Sequence, residues 1–272
     1  MRAPLLLLAH SVKRVRALVA AMGLVLCGFQ VVLILVARSI QTSGGFESLS
    51  AMLPPFAREL MGPSLAAFMS FGGIVCLGYF HLVVISSLIA MCIALATMPA
   101  SEIETGFIDL ILARPLARYW IITRSIVLVL LGVVFLLVMM MLGTWLGLTL
   151  LAPAGAEWPP SALIRALAEN LGLLLLCWSG VAMAIGSGSH RRGVAGAITG
   201  FLALITFLLD FVGRLWQPAE SIAWISPFRY DNALDLIMGN TLPLKNVAVL
   251  SGVALVGFAV AYVVFSKRDI AH

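Results

Sequence analysis

Charge is scarce in this chain. Only 11% of its 272 residues are Asp, Glu, Lys or Arg, whereas 62% are hydrophobic and the mean hydropathy is +1.09. A water-soluble domain cannot hide that much apolar surface, so the solvent for most of the chain is lipid. Cysteine is scarce as well. Cys27, Cys76, Cys92 and Cys177 all sit in apolar surroundings and none forms a CxxC pair, which reads as buried structural thiols rather than metal ligands or disulfides. No G-x-x-x-x-G-K-[ST] phosphate loop is present, so ATP hydrolysis by that route is excluded. No Ser–His–Asp or paired-carboxylate arrangement suggests hydrolysis inside the membrane. The pI is near 9.3, but no concentrated basic and aromatic surface exists to bind nucleic acid.

Long apolar runs are what the chain does have. A spanning helix needs about 20 such residues. Six stretches qualify: residues 18–37, 82–98, 126–152, 169–186, 194–215 and 247–265. Residues 1–272 therefore read as one all-α polytopic membrane domain, with short loops and no separate catalytic module. The N-terminal run Leu5–Ala9 is too short for a secretory leader. Lys13, Arg14 and Arg16 follow it directly, without a small-residue cleavage site. The expectation is an uncleaved amphipathic lead-in on the headgroups, its basic residues facing anionic lipid. Ala51–Pro63 suits a short helix at the outer surface. Within Leu65–Met98, His81 marks a break, and the piece before it is a re-entrant segment, an outer-surface helix or an extension of the span. Gln217–Asn246 reads as a longer outer segment.

Charge bias orients the spans. With both termini on one side, that side holds 11 of the 17 Lys and Arg residues and four acids, a balance of +7 against −2 on the other. The positive-inside rule then puts both termini, residues 101–118 and the tight basic loop His190-Arg191-Arg192 in the cytoplasm.

The charged segment Ser101–Arg118 is the most informative part of the chain. Ser101 and Glu104 fit a capping box. Ile103, Phe107, Leu110 and Ile111 fall on one helical face, while Glu102, Thr105 and Asp109 lie off it. Pro115 disfavours helix at Arg114 and stops it there. The spacing predicts a short amphipathic helix along the membrane, with Gly106 in mid-helix. Its apolar face could lie on lipid or enter a partner's groove.

The run Glu102-Ile-Glu104-x-Gly106, continuing through Leu-x-Ala-Arg114-Pro115-x-x-Arg118, resembles the cytoplasmic signature of type-2 ATP-binding cassette export permeases. The close Phe265-Ser-Lys267-Arg268-Asp269 and the segment Ser226-Pro227-Phe228-Arg229-Tyr230 resemble that family's last span and preceding outer segment. Phe107 stands where the family usually has Thr or Ser, and Leu82 where Pro often follows the His, so no subfamily or substrate is implied. The resemblance implies a multi-pass subunit of the bacterial cytoplasmic membrane that exports a substrate. It implies a second permease copy and a separate ATP-binding cassette ATPase, which would hold the ATP and magnesium. The coupling residues would be Glu102, Glu104, Gly106, Arg114, Pro115 and Arg118, with His190, Arg191 and Arg192 as a second contact. The rival readings are a membrane scaffold or assembly subunit that transports nothing and, third, an intramembrane enzyme.

Other features read more plainly. Gly143 with Gly147, and Gly196 with Gly200, form small-xxx-small faces, read as packing within the chain, with a dimer contact as the alternative. Arg165 with Glu169, and Asp210 with Arg214, are spaced to pair along one helix face near the outer boundary. His81 has no acidic or histidine neighbour in sequence and reads as a packed histidine. Met139-Met140-Met141 point around a helix rather than to one metal site.

Overall fold

The computed structural model describes residues 2–43 (side chains from residue 7), 70–106, 117 and 119–267. Among these residues the regular structure is all helix, with no strand. Six helical stretches are long and apolar enough to cross a membrane: Leu7–Thr42, Phe71–Ala96, Tyr119–Leu151, Ser161–Gly188, Arg192–Leu215 and Leu244–Lys267. The surface helix expected at residues 51–63 lies outside the described residues, as do Phe107–Leu116, Arg118 and the tail from Arg268.

The first helix, α1 (Arg2–Thr42), joins the basic lead-in and the first span without a break. At about 1.5 Å per residue it is roughly 60 Å long, twice the thickness of a hydrocarbon core. Lys13, Arg14 and Arg16 are all exposed on it. The second apolar stretch is broken where His81 suggested. A short helix α2 (Phe71–Cys76), capped by Ser70, runs into a 3-10 turn at Leu77–Tyr79. His81 is then extended, and α3 (Leu82–Ala96) begins. The segment before the break is thus an interrupted extension of the span. Next come α4 (Met98–Glu104), α5 (Tyr119–Leu151), α6 (Ser161–Gly188) and α7 (Arg192–Leu215). Short elements α8 (Gln217–Ala223), a second 3-10 turn (Pro227–Tyr230) and α9 (Ala233–Ile237) lead to α10 (Leu244–Lys267).

Two parallel helix pairs organise the bundle, each brought close by glycine. On α5, a Cβ at Gly143 would lie 2.5 Å from the Cys27 carbonyl oxygen, and one at Gly147 would lie 2.3 Å from Ile34. Residue numbers rise together along both helices, so α1 and α5 run the same way. On α6, a Cβ at Gly180 would meet the Ala254 oxygen at 2.6 Å, and one at Gly257 on α10 would meet Gly180 itself at 2.4 Å. Only the absence of side chains lets these backbones approach so closely. Gly143 and Gly147 therefore pack within the chain, as expected. Gly196 and Gly200 on α7 bring no backbones together: a Cβ at Gly196 would make an ordinary contact with Ile93 at 3.8 Å, and nothing lies within 4 Å at Gly200. The close pair Gly180–Gly257 was missed because it joins glycines on two different helices, which spacing within one helix cannot show.

Connections after α7 turn back into the bundle. α8 folds along α7, with Gly213 giving room to Ala223 at 2.6 Å from a would-be Cβ. Ser226 then donates its hydroxyl to the Thr206 carbonyl at 2.8 Å, about 14 Å along the axis from the end of α7. The Phe228 ring packs between Trp178 and Phe207, at centroid distances of 5.7 and 5.5 Å. Asn246 at the start of α10 ties the turn down through the Tyr230 carbonyl at 3.0 Å. The expected outer segment is therefore re-entrant rather than laid across the end of the bundle.

Candidate functional site

The described part of the 101–118 segment does not form the expected helix. α4 begins at Met98, with Pro99 in its first turn, where proline's missing N–H and fixed φ are tolerated. Ser101 is buried inside α4 rather than at its N-cap, so there is no capping box. The helix ends at Glu104. Gly106 follows with φ of +67°, a conformation that favours glycine, and its N–H bonds the Ile103 carbonyl at 3.0 Å. Gly106 is thus a stop signal and not a mid-helix residue. The sequence misled because Ser101-x-x-Glu104 satisfies the capping pattern, whereas Pro99 marks the true start. The apolar positions Phe107, Leu110 and Ile111, and the residues Arg114, Pro115 and Arg118, lie outside the described residues.

What α4 forms is a wedge. Every residue from Met98 to Ile103 is buried. Glu102 lies inside the protein and pairs with Arg124 of α5 at 2.7 Å, their side chains only 2% and 3% exposed. The attraction is strong in such surroundings, and losing either partner would strand a buried charge. Arg124 Nε lacks a hydrogen-bond partner, so the guanidinium is held through Nη2. Glu104, by contrast, is exposed and reaches α7. Its Oε2 accepts the backbone N–H of Arg192 at 2.9 Å. Arg191, the N-cap residue of α7, supplies no side-chain bond of its own, so Glu104 provides the anionic cap from a distant element. The Arg192 guanidinium donates to the Ala94 carbonyl near the end of α3 at 2.9 Å.

The two segments singled out from sequence are therefore neighbours. α4 is pinned to α5 through Glu102 and to α7 through Glu104, and the start of α7, just after the short turn through His190 and Arg191, is pinned to α3 through Arg192. His190 and Arg191 beside them are exposed. Thr123 and Tyr262 share a hydrogen bond at 2.7 Å, which brings the last turns of α10 to this same end. Arg124 was the residue sequence reasoning overlooked. Starting the third span at Ile126 left it in a loop, whereas the helix begins at Tyr119. A lone arginine so close to an apolar run was the available signal.

The opposite end carries a second ionic group. Asp210 pairs with Arg214 at 2.9 Å, as its spacing suggested. Arg229 approaches Asp210 at 3.8 Å and Glu220 at 3.3 Å. Arg165 and Glu169 are both exposed, and no ion pair joins them. Asp231, in the connection between the fifth and sixth spanning stretches, accepts a hydrogen bond from Asn170. Burial raises its carboxyl from 3.8 to about 6; the Asn170 bond and Arg214 oppose the rise, and Asp210 adds to it.

Inside the bundle, Tyr79 and Thr144 share a buried hydrogen bond at 3.0 Å. The fully buried Gln30 amide lies against Gly78. The His81 ring lies against Phe29 at a centroid distance of 5.8 Å, a packed histidine as expected. All four cysteines are free, and Cys76, Cys92 and Cys177 are buried. Met140 is buried, with Met139 and Met141 part-exposed to either side.

The chain matches no family model, no curated protein and no solved structure. Nothing in these comparisons identifies an ATP-binding cassette permease.

Proposed function

We propose that this chain is the membrane-spanning permease subunit of an ATP-driven export system of the ATP-binding cassette type, coupled to a separate ATPase. The observation that carries the reading is the wedge α4. It sits at the end of the bundle that carries the exposed His190 and Arg191, and it is tied to two spanning helices by carboxylates two residues apart. A load applied beyond Gly106 would reach α5 through Glu102 and α7 through Glu104. A partner that binds differently to two arrangements of these helices would shift their populations.

In this reading the end holding α4 is cytoplasmic, and both termini lie there. The lead-in of α1 continues the first span out of the bilayer, bringing Lys13, Arg14 and Arg16 to the level of the anionic headgroups, and a second permease copy completes the pore in the bacterial inner membrane. The docking role falls to Gly106, Arg114, Pro115 and Arg118, and His190 and Arg191, exposed beside the Glu104 contact, offer the second contact. Glu102 acts by positioning α4 rather than by touching the ATPase. The chain itself supplies no phosphate loop, so ATP and magnesium belong to the partner.

Affinity purification of the tagged chain from its native membranes tests the reading. The expected result is a stable complex with a nucleotide-hydrolysing subunit. Isolation of the chain alone, or with partners that hydrolyse no nucleotide, would favour a scaffold role.

A further inference from the structure

Between α3 and α7 runs a groove that neither the wedge nor the helix pairs explain. Its outer part is a cavity of about 420 Å³, and its inner part is a second cavity of about 300 Å³. Leu82, Ile85, Phe207 and Phe228 line both, so the two adjoin end to end. The groove extends along α7 from Arg214 to Gly200, about 20 Å.

The two parts differ in chemistry. The inner part is walled by apolar side chains such as Ile89, Ile93, Ala203 and Leu204. Its depth comes from Gly200, where a side chain would meet nothing within 4 Å. The outer part holds three carboxylates, Asp210, Asp231 and Asp235, against one guanidinium, Arg214. Asp210 is 6% exposed and already paired, its Oδ2 with Arg214 at 2.9 Å and its Oδ1 with Arg229 at 3.8 Å, which leaves Asp231 and Asp235 to face the cavity. Asp235 has no cation within ion-pair distance among the described residues. An aliphatic wall with an acid-rich mouth complements one kind of molecule.

We infer that this groove binds a single amphiphile with an aliphatic tail and a cationic amine head, the tail along Ile89, Ala203 and Gly200 and the head against Asp231 and Asp235. A second copy of the chain is a poorer fit. A two-fold contact centred on the groove would set the same acid-rich mouth against itself, and facing like charges repel. The inference concerns binding alone and does not require coupling to an ATPase.

Photolabelling tests it. The purified chain is placed in nanodiscs of phosphatidylglycerol and exposed to hexadecylamine carrying a diazirine near the tail end. The matching hexadecanoic acid serves as control. Label on the α3 and α7 peptides is divided by label on the lipid-facing peptides of α1, which corrects for the amine's attraction to the anionic membrane.

The amine is expected to exceed the acid by about fivefold or more in this ratio, the scale of one or two modest ionic contacts. Asp231→Asn with Asp235→Asn brings it down to the acid's level. Gly200→Trp, placed where the structure has space, removes it without lowering thermal stability. Adding phosphatidylethanolamine identifies the source. Competition by this lipid assigns the site to a membrane headgroup, and no competition assigns it to a free amphiphilic amine; either supports the site. Equal ratios for amine and acid, or unchanged labelling in Gly200→Trp, overturn the proposal. Absence of label together with a dimer that dissociates in Gly200→Trp overturns it too, in favour of a second copy.

Discussion

The ion pair between Glu102 and Arg124 makes a quantitative prediction. Its atoms are 2.7 Å apart with both side chains almost fully enclosed. Glu102→Gln keeps the shape of the residue but leaves Arg124 charged and unpaired inside the protein. Breaking a buried pair from one side costs about 3–5 kcal/mol. For a chain of roughly this size each kcal/mol moves the midpoint by about 2–4 °C, so the variant should melt about 6–20 °C lower. Arg124→Met leaves Glu102 stranded and should fall by a similar amount. The double variant Glu102→Met, Arg124→Met removes both charges and should recover most of the loss, because an apolar replacement of a buried pair is often neutral or better. The assay is loss of the monodisperse peak in fluorescence-detected size exclusion after heating in mild detergent. The reasoning is refuted if Glu102→Gln melts within about 2 °C of the parent, or if the double variant is as unstable as the sum of the singles.

Further expectations can be checked on the same material. Glu104→Ala removes the anionic cap of α7 and should cost about 1 kcal/mol, with faster hydrogen exchange at residues 192–195 and little change elsewhere. Gly180→Ala puts a methyl 2.6 Å from the Ala254 carbonyl and should destabilise by about 1–3 kcal/mol. Gly200→Ala meets open space and should be neutral or stabilising by up to about 1 kcal/mol, as seen in paired melting curves. Asp231 holds its proton more tightly when folded than when unfolded. Its contribution to stability is therefore greatest below pH 3.8 and falls as pH rises from there through about 6. Asp231→Asn should flatten this part of the melting-temperature profile, and an unchanged slope would show that other groups cause it.

Much of the fold was readable because lipid imposes a simple rule. The six apolar runs each lie in a helical stretch long enough to cross a membrane, the second only with the interrupted piece before it, and the break at His81 appeared where the apolar run outlasted one span. Helix ends were harder. Tyr119–Arg124 carries an arginine and looked like loop, yet it is helical, and Glu102 supplies the buried partner for Arg124. The re-entrant course of residues 217–243 depends on Phe228 finding Trp178 and on Ser226 finding Thr206. Neither contact leaves a periodic trace. At the wedge, the sequence identified Glu102, Glu104 and the 190–192 loop as residues of interest. It could not show that Glu102 faces inward, because a carboxylate reads as exposed until its buried arginine is known.

The proposed coupling is tested most directly by nucleotide hydrolysis in the complex captured from native membranes and reconstituted in vesicles. Two variants serve. Glu104→Arg severs the link between α4 and α7, and Arg191→Glu reverses an exposed charge beside it while leaving the described contacts intact. ATP hydrolysis supported by the parent chain is predicted to fall several-fold in both, with the folded chain still present in the membrane. Hydrolysis that stays at the parent level in both variants, or that is the same with the chain absent, would contradict it.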